Sequence, residues 1–275
     1  MLYVGSLFSG IGGIELGLER TGFFETKWFI ENDIYCQAVL RKHWSQCEVY
    51  GDITYIDWSK MPKVDVLTGG FPCQDISQAG RGKGIIDGKR SSLWKHYAES
   101  IRILRPKYAI IENVPMLYSR GLNVVLADIA QAGYNAEWFT LQASYFGAPH
   151  KRERMFIIAY PCGKRFIHLR LKKQSGQGRE SAQSENSPGF ITDDWSQRIQ
   201  RFKQKKIQRK QGFSWCEDVR RIEDLRGRQD IPEPLFCGGR DGIPNWMDRI
   251  KSCGNSVVPE CAEFIGERLK EIEGL

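Results

Sequence analysis

Tyr3 to Arg20 reads YVGSLFSGIGGIELGLER. Tyr3 to Phe8 is a short apolar run that predicts a strand, and Gly13 to Arg20 carries the spacing of an amphipathic helix. Between them, Phe8-Ser9-Gly10-Ile11-Gly12-Gly13 forms a glycine turn whose backbone N–H groups can approach a ligand at the start of the helix.

The same alternation continues outward from this stretch. Lys27 to Ile30, Val64 to Leu67, Tyr108 to Ile111 and Met155 to Ala159 read as strands, while Ile34 to His43, Ser92 to Leu104 and Asn123 to Ala132 read as helices. Alternating strands and helices predict an α/β fold, a mainly parallel sheet with helices on both faces and ligands at the carboxyl ends of its strands. Pro259 to Ile272 predicts a last helix, with proline at its start and an apolar set (Ala262, Phe264, Ile265, Leu269, Ile272) that must pack back onto the sheet. The main domain is therefore expected to comprise residues 1–161 and 245–275, with 162–244 as a separate small domain.

The chain has 275 residues, with 41% hydrophobic and 27% charged side chains, which excludes a disordered or fibrous protein. No apolar run approaches the roughly 20 residues of a membrane span. The first 18 residues include Glu15 and have no basic start, unlike a signal peptide, so a cytoplasmic location is expected. The eight cysteines contain no C-x-x-C pair, which argues against structural zinc; no metal is expected, and most thiols should be reduced and buried.

The net charge of +7 is concentrated in one region. Residues 162–230 hold 17 Lys and Arg against 9 Asp and Glu, or +8, leaving 23 against 24 in the rest of the chain. Trp195 to Lys210 has no acid at all and includes Arg198, Arg201 and Lys205. Such a run is either a solvated helix face or a nucleic-acid contact, and its place beside the main α/β domain, with its expected ligand site, favours the second. Lys172 to Pro188, nearly devoid of apolar residues, reads as a flexible loop.

A dinucleotide fingerprint G-x-G-x-x-G needs glycine at position 15, where Glu15 stands as a poor neighbour for a pyrophosphate. Glu31, followed by Asn32, ends the second strand where a carboxylate can accept from ribose hydroxyls. Asp52, followed by Ile53, is placed at the next turn to accept from an adenine amino group. Together these features suggest S-adenosylmethionine, a nucleoside cofactor without phosphates.

Gly69-Gly70-Phe71-Pro72-Cys73-Gln74 follows the apolar strand Val64 to Leu67, so a thiol stands at the carboxyl end of a central strand. Glu112-Asn113-Val114 ends the next strand. Arg152 and Arg154 precede the one after, two apart and so on the same face if both are extended. Two guanidiniums, a carboxylate and a thiol can then converge on one cleft.

Phe8 to Gly13, Glu31, Asp52, Pro72-Cys73-Gln74, Glu112-Asn113-Val114, Arg152-x-Arg154 and Gly254-Asn255-Ser256-Val257-Val258-Pro259 follow one another in an order that resembles the DNA (cytosine-5) methyltransferase family, bacterial or phage type. The resemblance covers roughly residues 1–160 and 245–275. It implies a Rossmann-like S-adenosylmethionine-dependent methyltransferase fold with a small target-recognition domain, acting on C5 of a cytosine flipped out of duplex DNA. Cys73 would attack C6 while Glu112 contacts N3; Arg152 would favour the thiolate and Arg154 position the nucleotide. The glycine turn, Gly70, Pro72, Leu93, Asn255, Ser256 and Val257 would hold the cofactor, with Phe8 stacking on adenine. The segment after Cys73, with Gln74, Arg81, Lys83 and Arg90 among glycines 80, 82, 84 and 88, would close over DNA. His150 departs from the family, which more often has glutamine there.

Three other readings bear on the same residues. A zinc cytidine deaminase needs a second cysteine three residues after Pro72-Cys73, where Ile76 stands. A tRNA cytosine-5 methyltransferase shares the catalytic parts, and a catalytically idle DNA-binding relative would not need all of Cys73, Glu112, Arg152 and Arg154. The expected enzyme is a monomer working on double-stranded DNA in a prokaryotic cell or phage-infected host, with a restriction endonuclease as a possible partner on the same site.

Overall fold

Successive residues of a strand point to opposite faces of a sheet, and the buried residues here separate accordingly into two cores. The computed structural model describes residues 1–72, 93–148, 150–163, 199–202, 204, 252 and 254–274. Among these, the strands are β1 (Leu2–Leu7), β2 (Phe24–Ile30), β3 (Glu48–Tyr50), β4 (Val66–Gly70), β5 (Tyr108–Asn113), β6 (Tyr134–Gln142) and β7 (Glu153–Pro161). The helices are α1 (Gly13–Glu19), α2 (Ile34–His43), α3 (Leu93–Leu104), α4 (Leu117–Arg120), α5 (Leu122–Gln131) and α6 (Pro259–Ile272). Val66, Ile110 and Ile158 face the core closed by Ile14 and Leu18 of α1 and Phe264 and Ile265 of α6. Their neighbours Leu67, Ile111 and Ile157 face the core closed by Trp94, Tyr97 and Ile101 of α3 and Val125 and Ile129 of α5.

The sheet order is β3-β2-β1-β4-β5-β7-β6. β1 to β5 pair in parallel, whereas β7 runs antiparallel to both β5 and β6. After β1 the chain builds toward β3 on one side, then crosses to β4 on the other. The strand order therefore reverses between β1 and β4, where the loops leaving both strands open a crevice for ligands.

Helix α6 brings residues from the end of the chain against α1, and the approach is close enough to require a glycine. A Cβ at Gly17 would lie 2.2 Å from the Pro259 carbonyl oxygen and 2.7 Å from the Ala262 Cβ. Because backbone cannot yield as a flexible side chain does, Gly17→Ala is expected to destabilise the fold by about 1–3 kcal/mol. Urea unfolding should show a lowered midpoint with an unchanged slope.

One turn of the basic stretch is built into this core. Ile199 is buried, and the Phe202 ring meets Phe146 and Phe264 edge-on at 5.9 and 5.6 Å between centroids. Arg201, between these two anchors, is exposed.

Candidate active site

The turn after β1 is held by its own side chains. Phe8, Gly10 and Gly12 have φ of 52°, 56° and 81°, so Phe8 occupies a left-handed conformation that costs a non-glycine residue energy. The Ser9 amide donates to the Ile30 carbonyl at 3.2 Å, and its hydroxyl receives a hydrogen bond from Ser6 at 2.8 Å. The Gly10 amide donates to Glu31 Oε2 at 2.7 Å, and the Asp33 amide donates to Glu31 Oε1 at 2.8 Å. The Gly12 amide turns back to the Ser9 carbonyl at 3.0 Å.

These bonds decide what the turn can hold. Three of its amides, those of Ser9, Gly10 and Gly12, already have acceptors within the protein, and a carboxylate stands beside it. A phosphate would meet a used donor and a negative charge. The Glu31 oxygens, with about two lone pairs each, retain acceptor capacity for sugar hydroxyls. The donor set fits a phosphate-free nucleoside cofactor such as S-adenosylmethionine.

A cleft of about 550 Å³ runs from this turn across the crevice. Phe8, Ser9, Gly10 and Gly13 line it from β1 and α1, and Glu31 and Asn32 from the end of β2. Asp52 and Ile53 form its next wall, where Asp52 Oδ1 accepts from both the amide and the hydroxyl of Thr54 at 2.9 Å. Gly70, Pro72 and Leu93 contribute from β4 and the start of α3, and Asn255, Ser256 and Val257 from the segment before α6. At Gly13 a Cβ would lie 2.4 Å from Ser256 Oγ and 2.5 Å from the Val257 carbonyl oxygen, which shows how tightly that segment presses on the turn.

Ile11 and Gly12, expected to hold cofactor, do not line the cleft; a Cβ at Gly12 would run into the Trp44 ring at 2.6 Å. Glu15, read as a neighbour of the ligand turn, instead points under the sheet. It is buried and accepts from the Thr68 hydroxyl at 2.5 Å, and burial pushes its pKa up.

Glu112 and Arg154 line the same cleft. Glu112 sits in register with Gly70 of β4 and Phe156 of β7, and Arg154 lies near the start of β7. Arg154 Nε reaches Glu112 Oε1 at 2.9 Å. The Glu112 side chain is 12% exposed. Burial raises its pKa to about 7, against the opposing pull of Arg154 and Arg152. At neutral pH the group is thus poised between donor and acceptor, a property that clusters at catalytic sites. Asn113, which was not singled out from sequence beyond its place in Glu112-Asn113-Val114, is buried and ties this turn to the neighbouring loop. Its Nδ2 donates to the Phe71 carbonyl at 3.3 Å and its Oδ1 accepts from the Val114 amide at 2.7 Å.

Arg152 departs from the expected geometry. It precedes β7 with φ of 29°, so it does not share a strand face with Arg154, and it does not line the cleft. Its guanidinium donates to the carbonyls of Gly254 and Ser256, each at 2.6 Å. Direct help to a thiolate therefore does not follow from its placement.

Cys73, Gln74, Arg81, Lys83, Arg90, Arg198 and Lys205 lie outside the described residues. Pro72, the residue before the thiol, lines the same cleft as the acid-arginine pair. Gly70 makes that pair possible, because a Cβ there would stand 2.4 Å from Glu112 Oε2. Gly70→Ala is expected to displace the carboxyl group and lower kcat by about tenfold or more while cofactor affinity changes less. Steady-state kinetics beside calorimetric cofactor binding will separate the two effects.

Residues 2–229 match the family model for C-5 cytosine-specific DNA methylase. Over 162 residues the chain is 40% identical to a type II methyltransferase of Bacillus subtilis (strain 168), covering 56% of this chain and 41% of that protein. It is 30% identical to a type II methyltransferase of Haemophilus aegyptius over 220 residues, or 78% of this chain and 64% of that one. The chain spans about half the length of the curated relatives it matches, with values of 41%, 49% and 52% for three of them. A solved methyltransferase structure from Entamoeba histolytica shares the fold at a TM-score of 0.51 and 19% identity, covering 67% of this chain and 58% of that one.

Proposed function

The chain belongs to the C-5 cytosine-specific DNA methylase family, and from that premise we propose that it transfers a methyl group from S-adenosylmethionine to C5 of a cytosine flipped out of a short duplex DNA sequence. One juxtaposition carries this reading: the half-buried Glu112–Arg154 pair shares a single cleft with the Glu31 and Asp52 carboxylates and with Pro72, next to Cys73.

The chemistry accounts for the residues. Cytosine C5 is too weak a nucleophile to be methylated unaided. Attack of the Cys73 thiolate on C6 forms an S–C6 bond and moves the ring electrons toward C5 and N3. Glu112, protonated, donates to N3 where that charge develops, and Arg154 orients the carboxyl group. S-adenosylmethionine, held by Glu31, Asp52 and the turn from Phe8 to Gly13, supplies a methyl carbon on a sulfonium that the activated C5 can take. Loss of the C5 proton and expulsion of Cys73 then restore the aromatic ring.

Residues 1–161 and 245–275 form the catalytic, cofactor-binding domain in this proposal, and residues 162–244 read the target. Ile199 and Phe202 fasten one turn of the second part to the first, leaving Arg201 free to face a phosphate. Gln74, Arg81, Lys83, Arg90, Arg198 and Lys205 supply further DNA contacts. The enzyme acts as a monomer in the cytoplasm of a prokaryotic cell or phage-infected host, alongside a restriction endonuclease of the same specificity.

Base-resolution methylation mapping of plasmid DNA and tRNA from expressing cells tests the substrate. Modified cytosines confined to one short DNA motif are expected. Unmodified DNA beside methylated tRNA would replace this reading with the RNA one.

A further inference from the structure

We propose that Arg152 is a positioning residue that locks the segment 254–257 onto the cofactor side of the cleft, rather than a cation for the nucleophile. This inference rests on the cofactor reading above.

Four observations converge on it. Both terminal nitrogens of Arg152 are committed, at 2.6 Å each, to the carbonyls of Gly254 and Ser256. Those carbonyls belong to the residues on either side of Asn255, the second immediately precedes Val257, and Asn255, Ser256 and Val257 all line the cleft. The clamped segment presses directly on the cofactor turn, since the space for a Gly13 Cβ is filled by Ser256 Oγ and the Val257 carbonyl. Lastly, Arg152 holds a left-handed φ of 29°, a strained conformation that persists only where surrounding contacts determine it.

The planar guanidinium suits this task. Two carbonyls from residues two apart present a fork of acceptors, which a rigid two-pronged donor satisfies at once and a lysine ammonium on a flexible stem does not. Residue 154, two positions onward, holds Glu112 at 2.9 Å. One short segment thus fastens the wall of the methyl-donor site with its first arginine and the acid of the acceptor site with its second. Arg152 sets the width of the cofactor pocket by holding a backbone it does not share with any ligand.

The test uses the full chain and compares wild type with Arg152→Lys and Arg152→Ala. Calorimetry without DNA should show S-adenosylmethionine binding about 10-fold weaker in Arg152→Lys and about 100-fold weaker in Arg152→Ala. Millimolar guanidinium should restore part of the affinity to Arg152→Ala. Duplex DNA affinity and the pH midpoint for Cys73 alkylation by iodoacetamide should stay at wild-type values. Thermal melts report whether each variant is folded, and Arg152→Lys carries the test if the alanine variant is not. Wild-type cofactor affinity in a folded lysine variant, or an upward move of the alkylation midpoint, would overturn the proposal. Failure of wild type itself to bind S-adenosylmethionine would bring down the cofactor reading and this inference together, a result distinct from either.

Discussion

Replacing Glu112 by glutamine is expected to lower kcat/KM by about 10²- to 10⁴-fold, the range associated with loss of a positioned acid, and to remove one limb of the pH profile. Attack on C6 is productive only if the charge reaching N3 finds a proton donor, and a carboxyl group donates only when protonated. Burial raises the Glu112 pKa to about 7, so the donor form dominates below that value and is lost above it. The thiolate follows the opposite course, with a free cysteine ionising near about 8.5. The wild-type profile should therefore be bell-shaped, with its two limbs belonging to the coupled pair of groups. In Glu112→Gln the amide can still donate but cannot titrate, so the alkaline fall should vanish and only the thiol's rise remain. An alkaline limb that persists in the variant would assign that ionisation to another group.

The same shift has a consequence for stability. Because the folded pKa of about 7 lies above the ordinary value of 4.5, the folded state binds the proton more tightly than the unfolded state. Stability from this group is fully present below about pH 4.5 and is lost as pH rises through about 7. The carboxyl group is thus held at a thermodynamic cost at neutral pH, which is what a catalytic acid requires and a purely structural ion pair does not.

How much of this was legible in the sequence depended on whether a feature was periodic. The segments Val64 to Leu67 and Tyr108 to Ile111 are apolar at every position but one because both faces of those strands are buried, and such runs stand out. β3 was missed because three residues carry no period. β6 was missed because it is an edge strand interrupted by Asn135, Glu137 and Thr140, with most of its side chains only half-buried. The motif residues Glu31, Asp52, Glu112 and Arg154 were legible as residue types at strand ends, and they meet in one cleft. Their partners were not. Nothing in the letters says that Gly10 spends its amide on Glu31, or that the first turn of α1 carries Glu15 beneath the sheet toward Thr68. Arg152 shows the limit most plainly: spacing by two implied a shared face, and one left-handed φ removed it.

Replacing Cys73 by alanine is expected to abolish methylation, on the order of 10⁴- to 10⁶-fold as for other covalent nucleophiles, while leaving cofactor binding near the wild-type value. The residues proposed to hold the cofactor, Glu31, Asp52 and the turn that starts at Phe8, line the cleft, and Glu31 is fixed by the Gly10 amide. The decisive readout is a trapped adduct. With 5-fluorocytosine in the duplex, fluorine occupies the position from which the proton must leave, so the enzyme remains bonded to C6 after methyl transfer. Wild type should give a species stable to denaturants on its own recognition sequence, and Cys73→Ala should give none. A control is needed because Cys36 lines the same cleft, where its sulfur lies 3.4 Å from Ser252 Oγ. Cys261 is a weaker rival, since burial pushes its thiol up to about 12 and keeps it protonated. Cys36→Ala should therefore still form the adduct. Its loss there, or its survival in Cys73→Ala, would move the nucleophile to a different thiol and leave Glu112 without the partner assigned to it.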